Sequence, residues 1–242
     1  MNTGDTAFMM ICAALVFFMT PGLAFFYGGL VRRKNVCNTI MACVAIMGLS
    51  VVMWTLFGYS LSFGGNHAGI IGDFRWFGLN GVGMEAGPYA DSIPHLVFCA
   101  FQMMFAMITP ALITGSLVGR MKFKALFLFV AIWSVIVYYP MAHMVWGDGG
   151  FLAAIGSVDF AGGDVVHISS GISALVLAII LGRRRGYEHT TYRIHNIPSV
   201  VLGASLLWFG WFGFNAGSAL GANGLAANAF ITTNTAAAMA MI

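Results

Sequence analysis

Seven stretches of the chain are almost continuously apolar, and short polar clusters separate them. They cover residues 7–30, 36–63, 93–119, 125–145, 165–181, 197–218 and 225–242. A helix needs about 20 apolar residues to cross the hydrocarbon core of a bilayer. Transmembrane strands would instead alternate polar and apolar positions over segments of about 10 residues. These runs are too long and too uniformly apolar for strands. The pattern predicts an all-α polytopic membrane protein with seven transmembrane helices.

Composition agrees: 60% of residues are hydrophobic, 8% are charged, and the mean hydropathy is +0.87. A soluble domain carries about 25% charged residues. The loops then sort by sign. Loop one holds Arg32, Arg33 and Lys34; loop three holds Arg120, Lys122 and Lys124; loop five holds Arg183, Arg184, Arg185 and Arg193. The even loops hold only Arg75 among basic residues, with Asp73, Glu85, Asp91, Asp148 and Asp159. Short basic loops mark the cytoplasmic side, which puts the N-terminus outside. The net charge of +3 lies in these anchors, so it does not indicate a nucleic-acid partner.

Cys12, Cys37, Cys43 and Cys99 lack a C-x-x-C spacing and read as packing residues. Glycines recur through the spans, at 48, 115, 171, 203, 210, 213 and 217, and predict close helix packing. The loop from 64 to 92 is long enough to fold as an ordered outer cap. The last run stops at Ile242 without a basic anchor or polar tail, and reads as part of a longer protein.

Ionisable residues at membrane depth cost at least about 2.5–3.5 kcal/mol and are functional candidates by default. Asp159, Asp164 and His167 lead into the run 165–181. Asp164 directly precedes that run and reads as its N-cap. Gly162-Gly163 set Asp159 apart from the helix. Its carboxylate either holds a bent loop by accepting backbone N–H groups, or directs a negative field into an outer vestibule. His167 is left inside the span, either as a satisfied structural histidine or as a pore group. No second His, Cys or carboxylate stands at a metal-ligand spacing from it, so neither metal nor cofactor is expected. His95 and His143 read as hydrogen-bonded structural histidines. Phe101 and Phe105, at i and i+4, share one helix face. Phe214 comes three residues after Trp211, and Trp146 ends a span at the interface. Singly these are packing or belt residues. Together they are the aromatic faces of a cation–π site.

Four motifs carry a family resemblance. Phe101-Gln-Met-Met-Phe105, Ala142-His-Met-Val-Trp146-Gly, Asp159-Phe-Ala-Gly-Gly-Asp-Val-Val-His167 and Trp211-Phe-Gly-Phe214-Asn-Ala-Gly-Ser218 resemble the Amt/Mep/Rh ammonium transporter family, bacterial Amt proteins above all. The stretch 21–35 resembles the family's first helix and loop. The resemblance implies an eleven-helix bundle built as an inverted repeat, assembled as a homotrimer in the cell membrane. The chain would be a transporter domain over 1–242, with the first repeat at about 7–182 and an incomplete second repeat from about 197. By resemblance, Phe101, Trp146 and Ser218 recruit ammonium outside, and Phe105 and Phe214 form a gate beneath them. His167 is the first of two pore histidines, and Asp159 supports the recruitment site. The second pore histidine belongs to a later helix.

The resemblance implies transport rather than catalysis, so no enzyme activity is expected. It also implies a cytoplasmic PII-type regulatory partner docking near the basic loop 183–193. The alternatives are an ammonium sensor of the same family or a truncated, inactive piece. A retinal-type seven-helix protein would need a mid-membrane lysine, and none is present. A membrane enzyme would need a second catalytic group beside His167.

Overall fold

The computed structural model describes residues 1–184, 186–189 and 191–242. Arg185, counted with the basic cluster of loop five, lies outside the described residues. Among the described residues, six helices are long and apolar enough to span a bilayer: α1 (Thr3–Leu30), α2 (Arg33–Phe63), α3 (His95–Leu117), α4 (Phe123–Ala154), α5 (Gly163–Leu181) and α6 (Ile197–Ala216). A seventh, α7 (Gly224–Ala240), has 17 residues. α4 is broken at 147–150 and closes with the single turn Phe151–Ala154. Asparagines start three of the helices. Asn2, Asn196 and Asn223 accept backbone N–H bonds from Gly4, Ser199 and Ala226 at 2.8, 3.0 and 3.0 Å.

α1 and α6 make the most extensive helix–helix contact. Glycine explains it. A Cβ on Gly29 would lie 2.7 Å from the Asn196 carbonyl, one on Gly213 2.7 Å from the Cys12 carbonyl, and one on Gly203 would overlap the Phe26 amide. In lipid there is little hydrophobic gain from helix association, so this backbone approach supplies the contact through van der Waals packing. Gly48 and Gly171 have nothing within 4 Å of a built Cβ, and the packing expectation does not extend to them.

Four spans contain a π-helical turn: Trp54–Gly58, Ser134–Tyr138, Gly163–Ile168 and Phe212–Ala216. Each shifts the register of the helix by one residue. Such insertions gather at functional sites, and two of these carry His167 and Phe214.

The two ends of the bundle differ. At one end the Asn2 amide donates to the Ser92 carbonyl at 2.6 Å, and the Ala222 amide to the Asp5 carboxylate at 2.8 Å. The loop from 64 to 94 folds over this end, with a short hairpin of β1 (Ala86–Gly87) and β2 (Ala90–Pro94). Trp76 stacks on buried Tyr59 at 5.3 Å, and the Tyr59 hydroxyl meets His95 Nε2 at 2.5 Å. His143, also buried, bonds the Ser62 carbonyl at 3.0 Å. Both histidines are thus satisfied by packing partners. At the opposite end lie loops one, three and five, with all the described basic residues except Arg75. Arg120 ties two of these loops together by donating to the Gly182 carbonyl at 2.7 Å. Cys12, Cys43 and Cys99 are buried, whereas Cys37 is exposed and does not pack in the core.

Candidate functional site

The capped end holds a recess of about 370 Å³ between α3, α4 and the loops before α5 and after α6. Phe101, Phe105, Trp146, Asp159 and Ser218, all picked out in the sequence, line it. Phe101 and Phe105 are 1% exposed and meet edge to face, with ring centroids 4.9 Å apart. Trp146 stands across from Phe105 at 5.9 Å and 85°. Three π faces or edges therefore converge on one small volume.

Ser218 completes the polar side. Its hydroxyl proton is committed to the Phe214 carbonyl, 2.9 Å away. What remains on Oγ is acceptor capacity. A cation with N–H bonds to give fits this side.

Phe105, on the wall of the recess, packs against Phe214 with ring centroids 4.4 Å apart, and Phe214 is 1% exposed. On the far side of Phe214 lies His167, at 6.0 Å from it and 6.0 Å from Trp211, nearly parallel to the indole at 16°. The His167 ring is on the exposed face of α5, continuous with Gly171 and Leu175. The order down the bundle is thus recess, paired phenyl rings, then imidazole.

The capping expectation is corrected here. Asp159, not Asp164, caps α5. One Asp159 oxygen accepts the N–H groups of Gly162 and Gly163, the latter at 2.8 Å; the other accepts those of Asp164 and Val165 at 2.8 and 3.0 Å. Gly162 adopts φ +103°, in the left-handed region, and turns the chain back so that a residue three positions upstream reaches the helix start. The Asp164 carboxylate instead accepts the Ser157 hydroxyl at 2.7 Å. Asp159 also reaches the recess through its backbone: Trp146 Nε1 donates to the Asp159 carbonyl at 2.9 Å.

Of the other lining residues, none stands out in the sequence as a site candidate; they include Tyr89, Phe98, Gln102 and Phe160. Gln102 carries a signal, as the lone amide within the run 93–119. Tyr89 carries none. It is placed by donating to the Phe63 carbonyl at 2.7 Å and by stacking on Phe98 at 5.2 Å.

These features define a polytopic helical membrane protein with an aromatic, acceptor-bearing recess at one end of the bundle. Residues 7–242 match the profile of the Ammonium Transporter Family, and the chain belongs to that family. The ammonium transporter of Bacillus subtilis (strain 168) is 52% identical over 98% of this chain and 58% of its own length. The crystal structure of Saccharomyces cerevisiae Mep2 superposes with a TM-score of 0.88 at 36% identity, over 97% of this chain and 54% of that one. A structure described as a sensor Amt protein superposes at 0.87 and 31% identity, over 97% and 59%. The chain therefore spans little more than half the length of these relatives.

Proposed function

We propose that this chain carries the outer recruitment site and the first pore histidine of an ammonium transporter. The observation that carries the reading is the linear order of Trp146 and Ser218, then Phe105 and Phe214, then His167. Ammonium enters the recess, where the Trp146 and Phe101 rings face the cation and the Ser218 oxygen accepts one of its N–H bonds. Cation–π contacts of this kind supply about 0.5–1 kcal/mol each when exposed and about 2 kcal/mol when desolvated. Phe105 and Phe214 bar the hydrated ion.

Moving an unpaired ion through an apolar lane costs far more than these contacts return. Passage is accordingly by deprotonation. One N–H bond breaks, the electron pair stays on nitrogen as ammonia, and the proton passes to an unprotonated nitrogen of His167. Imidazole is the side chain suited to take a proton at one nitrogen and return it. Potassium has no proton to give and is rejected. A net inward positive charge is driven by about 2.3 kcal/mol per 100 mV.

The membrane is the cell membrane, with the capped end and N-terminus outside and the basic end in the cytoplasm. The family resemblance adds a homotrimer and a PII-type regulator at the basic end as partner proposals. The sensor reading uses the same recess and differs in the step after binding. Reconstitution separates the two. Ammonium-evoked currents and methylammonium uptake in proteoliposomes holding only the purified protein support transport. Binding without flux supports sensing. Unchanged currents in His167→Ala would overturn the role given to that residue.

A further inference from the structure

The basic end holds a second recess, of about 550 Å³, where loops one, three and five converge. Its walls include Arg32, Lys34, Asn35, Arg120, Arg184 and Tyr192. Charges that serve only as membrane anchors need no common cavity; they fan out toward lipid headgroups. Here Arg32, Arg120 and Arg184 are half-buried around one cavity, with exposed Lys34 at its edge. The Arg32 guanidinium lies 3.9 Å from the Tyr192 ring centroid, and that of Arg184 lies 5.8 Å from the same centroid. Two like charges are gathered about one ring. Arg32 Nη2 is buried and has no hydrogen-bond acceptor among the described residues. Neither Arg32 nor Arg184 nor Lys34 forms an ion pair among the described residues, and the neighbouring Arg183 is taken by Glu188 at 3.0 Å.

A buried donor left unmatched costs about 1–3 kcal/mol, and more when charged. The geometry points to a bound phosphate-class anion, whether a free phosphate or the phosphomonoester headgroup of an anionic lipid. Chemistry favours phosphate over a lone carboxylate. A carboxylate satisfies one guanidinium fork, whereas a tetrahedral phosphate presents oxygens to Arg32, Arg184 and Lys34, which come from two separate loops. Arg120 donates Nη1 to the Gly182 carbonyl and Nη2 to the Ser116 carbonyl, which leaves only its buried Nε unmatched, and it serves as wall rather than ligand.

The experiment uses the purified protein in detergent. Thermal unfolding is followed against inorganic phosphate, with chloride at matched ionic strength as control. Native mass spectrometry tracks binding of short-chain phosphatidic acid, with short-chain phosphatidylcholine as control. The wild type is expected to show saturable stabilisation by phosphate or saturable binding of phosphatidic acid, and none by the controls. R184Q is expected to weaken the apparent affinity at least tenfold. K122Q removes the same charge from an exposed site outside the recess and is expected to leave the affinity within twofold. Lipid binding at least tenfold tighter than phosphate assigns the headgroup as ligand; equal or weaker lipid binding assigns free phosphate. No saturable effect of either probe, or an equal loss in K122Q and R184Q, overturns the proposal.

Discussion

Trp146 and Asp159 are joined by a hydrogen bond from the indole Nε1 to the Asp159 backbone carbonyl, at 2.9 Å, while the Asp159 carboxylate holds the start of α5. One residue therefore fixes both a wall of the recess and the helix that carries His167. Asp159→Ala is expected to destabilise the protein by about 2–4 kcal/mol, since four backbone donors lose a charged acceptor. Asp159→Asn keeps one acceptor oxygen and should lose about half as much. The check is the thermal midpoint of both variants beside their apparent ammonium affinity. Unchanged stability with weakened affinity in Asp159→Asn would mean that the carboxylate acts by its field on the ion and not as a cap.

Trp146→Leu keeps an apolar side chain but removes the π face and the indole N–H. The loss of a cation–π contact of about 0.5–2 kcal/mol corresponds to an apparent affinity lower by about 2- to 30-fold. Flux at saturating ammonium should change less, because Phe105, Phe214 and His167 stay in place. Concentration-dependent currents in proteoliposomes read both quantities. A fall in maximal flux with affinity unchanged would place Trp146 in the conduction step instead.

The seam between α1 and α6 makes a sharper test of packing. A Cβ at Gly203 would overlap the Phe26 amide and lie 2.6 Å from the Gly22 carbonyl, with backbone on both counts. Backbone cannot rotate aside, so Gly203→Ala should cost about 1–3 kcal/mol or more. Gly171→Ala on α5 meets nothing within 4 Å and should be neutral or stabilising by up to about 1 kcal/mol. Detergent thermal melts of the two variants give the comparison. Equal effects would mean that the seam relaxes.

Legibility in the sequence depends on the reach of the interaction involved. Six spans are legible because about 20 apolar residues in a row have few other solutions. The run 225–242 is legible as a helix for the same reason, and forms α7. Phe101 and Phe105 can be paired because four residues along a helix is one turn. Phe105 and Phe214 can be joined only through the family resemblance, since no local period links α3 to α6. The π turns are invisible because an i→i+5 bond leaves no mark in composition. The cap of α5 is hidden for a related reason. Adjacency favours Asp164, but the left-handed turn at Gly162 brings Asp159 back to the helix start.

The capped end should also show a defined acid limit. Burial raises the Asp73 carboxyl, but backbone N–H bonds from Arg75 and Gly65, at 3.0 Å each, and the Arg75 guanidinium outweigh it and hold its pKa below the ordinary value. A group depressed in the folded state contributes its stability above the unfolded value, about 3.9, and loses it as pH falls through the folded value. Hydrogen exchange across residues 64–76, corrected for intrinsic rates, should thus be flat from pH 7 to 5 and rise below about pH 4. The Asp73–Arg75 pair is partly solvated, with side-chain exposures of 29% and 54%, so the effect is local opening and not global unfolding. Asp73→Asn should exchange faster at pH 7 and lack the acid step. A step between pH 7 and 5 in the wild type would assign the control of this loop to a histidine, with His67, inside the same segment, as the first residue to replace.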